Sequence, residues 1–287
     1  MKIIVKFMRF CKNFIFFVIL LIFYVEFVLG NTAKVLLDGM YRENGKFPSI
    51  RDMVMDYEFR AQDQKKSKAS KEDDIPLIGE GKIFYKFPYL LRIETTFTFH
   101  PSLQGDKLIT IKDGNNTTIF KEDFIRPLSV EVDNRYPLLV NFPFLYLLRY
   151  EEMDKILYPV VVGYEDIGSG ELKGTKVAVI SVIDKTKMYE RYRIYLDTKN
   201  HIPVKTLFYP FEKDADGIEV IYKGFSYVAD GRIWPKKILI YYFNQNKKTK
   251  FLYWVIYIKN VSINVGLIDD LFETKREDIQ NMPPITK

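Results

Sequence analysis

"GKIFYKFPYLLRIETTF", residues 81–97, reads as two strands meeting at Phe87-Pro88-Tyr89. In the second run Leu91, Ile93, Thr95 and Phe97 alternate with Arg92, Glu94 and Thr96. A period of two puts the first set on one face of a sheet and the second set on the other. The hairpin therefore has an apolar face and a charged face. What the protein does depends on what its apolar face meets.

The same design extends in both directions. Residues 50–61 alternate Met53, Met55, Tyr57 and Phe59 with Val54, Asp56, Glu58 and Arg60. In "KLITIKDGNNTTIFKED", residues 107–123, Asp113-Gly114-Asn115-Asn116 is a tight turn between two short strands, and the overlapping sequons at Asn115 and Asn116 are read as turn chemistry. Strands are predicted again over 174–184, 188–197, 201–211, 217–229, 235–246 and 249–264, with Tyr192, Ile194 and Leu196 repeating the one-sided pattern. Turns at Asp197-Thr198-Lys199-Asn200, Asp214-Ala215-Asp216-Gly217 and Asp230-Gly231 are too short for anything but antiparallel neighbours. The fold class is mainly β, within α+β. It is a long antiparallel meander, and no linker or repeat divides residues 31–287 into two domains.

Two segments depart from the strand pattern. Thr32 can cap a short helix carrying Val35, Leu36 and Met40 on one side and stopping near Asn44-Gly45. Residues 135–158, "RYPLLVNFPFLYLLRYEEMDKILY", carry Leu138, Phe142, Leu145 and Leu148 at near-helical spacing. Pro137 and Pro143 fit only first helical turns, so two short helical pieces are expected there. Two readings stay open for this segment: a connector packed into the core, or a lid over the apolar face of a sheet. "KKSKASKEDD", residues 65–74, has no large apolar residue and reads as a solvated loop.

Residues 1–30 have a basic start (Lys2, Lys6, Arg9 and Lys12) and the apolar run "FIFFVILLIFYVEFVLG". They read as a secretory signal peptide cleaved after Gly30. The alternative is an uncleaved membrane anchor, for which the run is short and broken by Glu26. The sole cysteine, Cys11, precedes this run, so the mature chain has no thiol, disulfide or lipidated cysteine. Removing those four basic residues and Glu26 from 43 basic and 37 acidic side chains lowers the net charge from +6 to +3. That is too weak a bias to suggest a nucleic-acid partner.

Reactive groups are sparse. The two histidines, His100 before a proline and His201 at a turn, read as surface residues rather than bases or metal ligands. "DADGIE", residues 214–219, lacks the later acidic ligands of a calcium loop, and "GSGELKG", residues 168–174, leads into a strand where a phosphate cradle needs a helix. Glu151, Glu152 and Asp154 read as solvated charge. No enzymatic activity, metal or cofactor is expected. What remains is shape. A curved sheet that does not close exposes an apolar hollow, and burying it gains roughly 25 cal/mol per Å². A lid or an acyl chain can supply that cover, the chain at about 0.8 kcal/mol per methylene.

The chain also resembles the LolA-type family of periplasmic lipoprotein-sorting proteins. The likeness rests on "GEGKIFYKFPYLLRIETTF", residues 79–97, followed by "KLITIKDGNNTTIF", residues 107–120. It extends through "YRIYLDTKNHIPVKTLFY", residues 192–209, the strand start at Trp234-Pro235, and "NVSINVGLIDDLFET", residues 260–274. The resemblance implies an incomplete antiparallel barrel with a helical lid, a monomer that shields acyl chains of lipoproteins between an inner-membrane transporter and an outer-membrane acceptor. Ile83, Tyr85, Phe87, Leu91, Ile93, Ile109 and Ile111 are expected to line the early half of its cavity. Tyr192, Ile194 and Leu196 are expected to line the later half, and Leu138, Phe142, Leu145 and Leu148 to form the lid. Where the family has an arginine that holds the lid, this chain has Phe87, so a latch must be apolar or come from Arg92. Carriers of other lipids share this architecture. So do envelope sensors of the RseB type, which give an alternative reading without carrier activity.

Overall fold

A computed structural model of the chain describes residues 32–40, 48–62, 72, 75–87, 90–99, 104–113, 116–122, 129–132, 157–168, 172–185, 188–209, 216–244, 246 and 249–273. A helix, α1, spans 32–40. The strands are β1 (Asp52–Ala61), β2 (Leu77–Lys86), β3 (Leu90–Phe97), β4 (Lys107–Asp113), β5 (Asn116–Lys121), β6 (Ser129–Val132) and β7 (Leu157–Asp166). They continue with β8 (Lys176–Asp184), β9 (Glu190–Asp197), β10 (Pro203–Phe208), β11 (Asp216–Tyr227), β12 (Ile233–Asn244) and β13 (Thr249–Ile263). A short 3-10 turn over Asp269–Phe272 follows.

All thirteen strands form one open sheet in the order β6-β5-β4-β3-β2-β1-β13-β12-β11-β10-β9-β8-β7. Every neighbour is antiparallel, as short turns require, but the sheet is two meanders rather than one. The chain starts in the middle at β1, runs outward to β6, reappears at the opposite edge as β7 and returns to β1 through β13. The seam pairs Met53 with Ile263 and Met55 with Val261, some two hundred residues apart in sequence. β6 and β7 lie outside the predicted strands, and Leu157 and Tyr158, assigned above to the helical segment, begin β7.

Register irregularities bend this sheet. One extra residue on a strand increases its twist and turns a plane into a trough. Such steps occur between Asp56 and Tyr57, between Phe59 and Arg60, between Val161 and Gly163 and between Ile240 and Tyr241. Gly81 permits the tightest approach. A Cβ there would sit 1.7 Å from the Glu94 carbonyl oxygen of β3. Tyr57, Gly81 and Thr95 form one cross-strand row, and the Tyr57 side chain reaches across the bare glycine to Thr95, with Oη and Oγ1 2.6 Å apart. The glycine-rich start of the opening motif is therefore a device for coiling β2 against β3.

The inner face holds two apolar clusters. The first unites β1–β3 with β11–β13 through Met53, Met55, Ile83, Tyr85, Leu91, Tyr222, Trp234 and Ile238. The second lies on β7–β10 beneath α1, where Leu157, Val161, Ile180, Val182, Tyr192, Ile194 and Phe208 meet Ala33, Leu36, Leu37 and Met40. Those four helix positions fall at i, i+3, i+4 and i+7, one stripe of a helix. Val35, expected on the same stripe, points to solvent at 66% exposure. Ile218 packs against both clusters.

Candidate functional site

Cross-strand register decides which side chains share the hollow. Met55 pairs with Ile83, Ile83 with Ile93, and Tyr85 with Leu91, so these residues line one wall with Met53 and Tyr57. Ile83, Tyr85 and Leu91 are buried in the first cluster, and Phe87 and Ile93 pack against it partly buried. Ile93 then pairs with Thr110, whereas Ile111 pairs with Arg92 and Ile109 with Glu94. Ile109 and Ile111 therefore stand on the opposite, outer face, against the expectation that they share the wall with Leu91 and Ile93. On the outside the 3-10 turn lies over β3 and β4, with Phe272 buried and Ile111 covered. The C-terminal segment is fastened there by Arg92 donating to the Leu271 carbonyl at 3.1 Å and by Lys86 bridging the Leu267 carbonyl and Asp269. Arg92 thus belongs to the outer face and is no latch for an inner lid.

Tyr192, Ile194 and Leu196 do face inward in one row set with Val182, Ile180 and Ala178. α1 lies over them, and all three are essentially inaccessible. The expected lid residues Leu138, Phe142, Leu145 and Leu148, like residues 1–30, lie outside the described residues.

His201 overturns its surface assignment. It occupies the expected β9–β10 turn in the left-handed region at φ 54°, but its ring is buried against α1. Nδ1 lies 3.2 Å from the Leu36 carbonyl, and the ring fills the space that a side chain at Gly39 would need. Sequence reasoning missed this contact because its partners are separated by 165 positions. The one available signal was Gly39 itself, a poor helix former in a short helix.

Thr206 places a hydroxyl within the apolar face. The residue, between Ile194 and Val220 in register, is fully buried, and its Oγ1 has no hydrogen-bond partner.

The outer face carries the charge. Asp56, Glu58, Glu80, Lys82, Glu94, Lys107 and Lys259 surround a cavity of ≈ 390 Å³. Lys82 pairs with Asp56 at 3.0 Å, Lys107 with Glu94 at 3.2 Å and Lys259 with Glu58 at 2.7 Å. Burial pushes the Glu94 carboxyl up, but hydrogen bonds from Arg92 and Lys107 together outweigh it and hold it below the usual carboxylate range. The Asn260 hydrogen bond, with help from Lys82, holds Asp56 low as well. A general acid at neutral pH needs the opposite shift. No group of three or more metal-ligating side chains occurs among the described residues, and no helix among them is long and apolar enough to cross a membrane.

The arrangement defines a class: an incomplete antiparallel β-barrel, coiled but open, with its apolar face turned inward and a helix laid in the hollow. Its fold is LolA-like. It is similar to a LolA superfamily protein from Nitrosomonas europaea over 86% of this chain and 99% of that chain, with a TM-score of 0.55 at 14% identity. A DUF1329 family protein from Desulfovibrio piger matches over 85% and 97%, with a TM-score of 0.55 at 11% identity. A domain assigned to outer-membrane lipoprotein sorting, from Vibrio parahaemolyticus, matches over 83% and 96%, with a TM-score of 0.52 at 14% identity. No protein-family model matches the sequence, and no curated protein matches it.

Proposed function

We propose that this protein is an exported, periplasmic, non-enzymatic carrier that holds acyl chains, of lipoproteins or of another lipid, against the inner face of its open barrel. The observation that carries this reading is the continuous apolar lining from β3 to β7, turned inward in a sheet that has no second sheet to pack against among the described residues. The likeness to the Vibrio parahaemolyticus sorting domain supports the same reading.

In the closed arrangement α1 fills the later half of the hollow. A fifteen-carbon chain gains about 12 kcal/mol from burial, and covering Leu36, Leu37 and Met40 gains roughly 5–8 kcal/mol. An acyl chain can therefore displace the helix. The carrier works as a monomer, loaded at an inner-membrane transporter and unloaded at an outer-membrane acceptor.

Native mass spectrometry of the protein purified from its own envelope tests this. Bound lipid is expected, and Ile93→Glu, a change at a half-buried position of the lining, is expected to remove it while the far-ultraviolet spectrum is retained. Equal lipid in wild type and Ile93→Glu refutes the assignment of the inner face. A specific protein partner with no lipid favours the RseB-type sensor instead.

A further inference from the structure

The ladder between β12 and β13 ends early. Its last pair is Lys237 with Tyr257, yet β12 begins at Ile233 and β13 runs on to Ile263. Beyond that pair each strand stays attached to its other neighbour. β12 remains paired with β11 as far as Ile233 with Tyr227, and β13 with β1 as far as Ile263 with Met53. The sheet therefore forks, with Ile233–Lys236 as one prong and Ile258–Ile263 as the other. Local chemistry keeps the prongs apart. Pro235 has no N–H to offer β13, Gly224 opposite Lys236 sits at φ 64°, and the extra residue Lys259 bends β13.

A cavity of ≈ 500 Å³ fills the fork. Its lining includes Trp234, Ile258 and Val261, all buried members of the first apolar cluster. At its lip Lys259 is paired with Glu58 and Asn260 donates to Asp56, while Lys236 is exposed and makes no ion pair among the described residues. Strand edges carry backbone donors and acceptors at a fixed spacing, and an extended polypeptide matches that spacing.

We propose that this fork binds an extended segment of a partner polypeptide. The segment pairs with the β13 edge over Ile258–Ile263, sets an apolar side chain against Trp234 and Val261, and presents an acidic side chain to Lys236. The proposal goes beyond acyl-chain carriage and does not depend on it, because the fork opens between strands at one end of the sheet and holds the segment by backbone pairing and Lys236, touching the buried apolar lining only at Trp234, Ile258 and Val261.

The test uses a fluorescein-labelled, end-blocked heptapeptide that alternates valine with threonine and carries one central glutamate. Saturable anisotropy is expected, with slowed hydrogen exchange confined to those amides of 258–263 that do not bond β1. Lys236→Glu is an exposed change that leaves the fold intact. It should weaken binding at least tenfold, and a peptide with lysine in place of the glutamate should regain that loss. The proposal is overturned if the amides of 258–263 that do not bond β1 are already protected without peptide, or if the charge swap changes nothing. It is equally overturned if sedimentation shows that a second copy of the chain fills the fork. Fatty-acid binding is titrated separately, so failure of the carrier reading and failure of this one are told apart.

Discussion

Gly39→Ala is a substitution whose sign the structure reverses. In an isolated helix, alanine in place of glycine gains about 1 kcal/mol. Here the new methyl would lie 2.2 Å from His201 Nδ1 and 2.7 Å from Cγ and Cε1 of the same ring. Either α1 lifts or the ring swings away from the Leu36 carbonyl and gives up its hydrogen bond. Overpacking costs about 1–3 kcal/mol and the hydrogen bond about 1 kcal/mol, so the net change is a loss of about 1–3 kcal/mol. At this chain length each kilocalorie corresponds to about 2–4 °C in Tm.

His201→Gly removes the ring and suits the left-handed backbone. In that background Gly39→Ala should become neutral or stabilising, and differential scanning calorimetry of the four proteins gives the coupling directly. Because α1 covers Tyr192, Ile194 and Leu196, loosening it should also raise the affinity for a fluorescent fatty acid, by about tenfold per 1.4 kcal/mol. Gly39→Ala destabilising equally in both backgrounds would refute the packing argument. Lost stability with unchanged affinity would show that α1 does not compete with the acyl chain.

Other consequences follow from single contacts. Gly81→Ala drives a methyl into the Glu94 carbonyl, a backbone atom that cannot swing aside, and should lower Tm more than any exposed glycine substitution, by an amount set by about 2–4 kcal/mol. Burial, only partly offset by the Thr95 hydrogen bond, pushes the Tyr57 phenol up to about 12. Since the unfolded phenol ionises near pH 10, its stabilising contribution is intact below pH 10 and is lost as pH rises towards 12, by about 2–3 kcal/mol. Tyr57→Phe should cost about 1 kcal/mol at neutral pH and flatten that alkaline loss in denaturant melts. Asp52 Oδ1 accepts the Val265 and Gly266 amides at 2.6 and 3.1 Å, tying the end of β13 to β1. Asp52→Ala should cost about 2–3 kcal/mol and speed hydrogen exchange at 264–266.

The strands and turns were legible because both signals are local. Alternation sets a face within one strand, and Asp-Gly or Asp-Thr-Lys-Asn fixes a reversal within four residues. Leu91 and Ile93 opposite Arg92 and Glu94, and Tyr192, Ile194 and Leu196 inward together, follow from period alone. The rule "apolar side inward" failed at β4, where residues 267–272 lay an apolar cover over the outer face and so let Ile109 and Ile111 point outward. The same holds for β8, whose Val177 and Val179 are buried on the outer face with Tyr195, Val204 and Leu172 while Ala178, Ile180 and Val182 are buried on the inner one.

By itself, then, the sequence determined that this is an antiparallel β protein with a one-sided apolar surface and few reactive groups. Three features were left to the tertiary structure: the β1–β13 seam that makes two meanders into one trough, the seating of α1 under the clasp of His201, and the fork between β12 and β13. Each depends on pairing between residues far apart in the chain. Local propensity carries no information about such pairing, because its free energy arises only once the whole sheet has coiled.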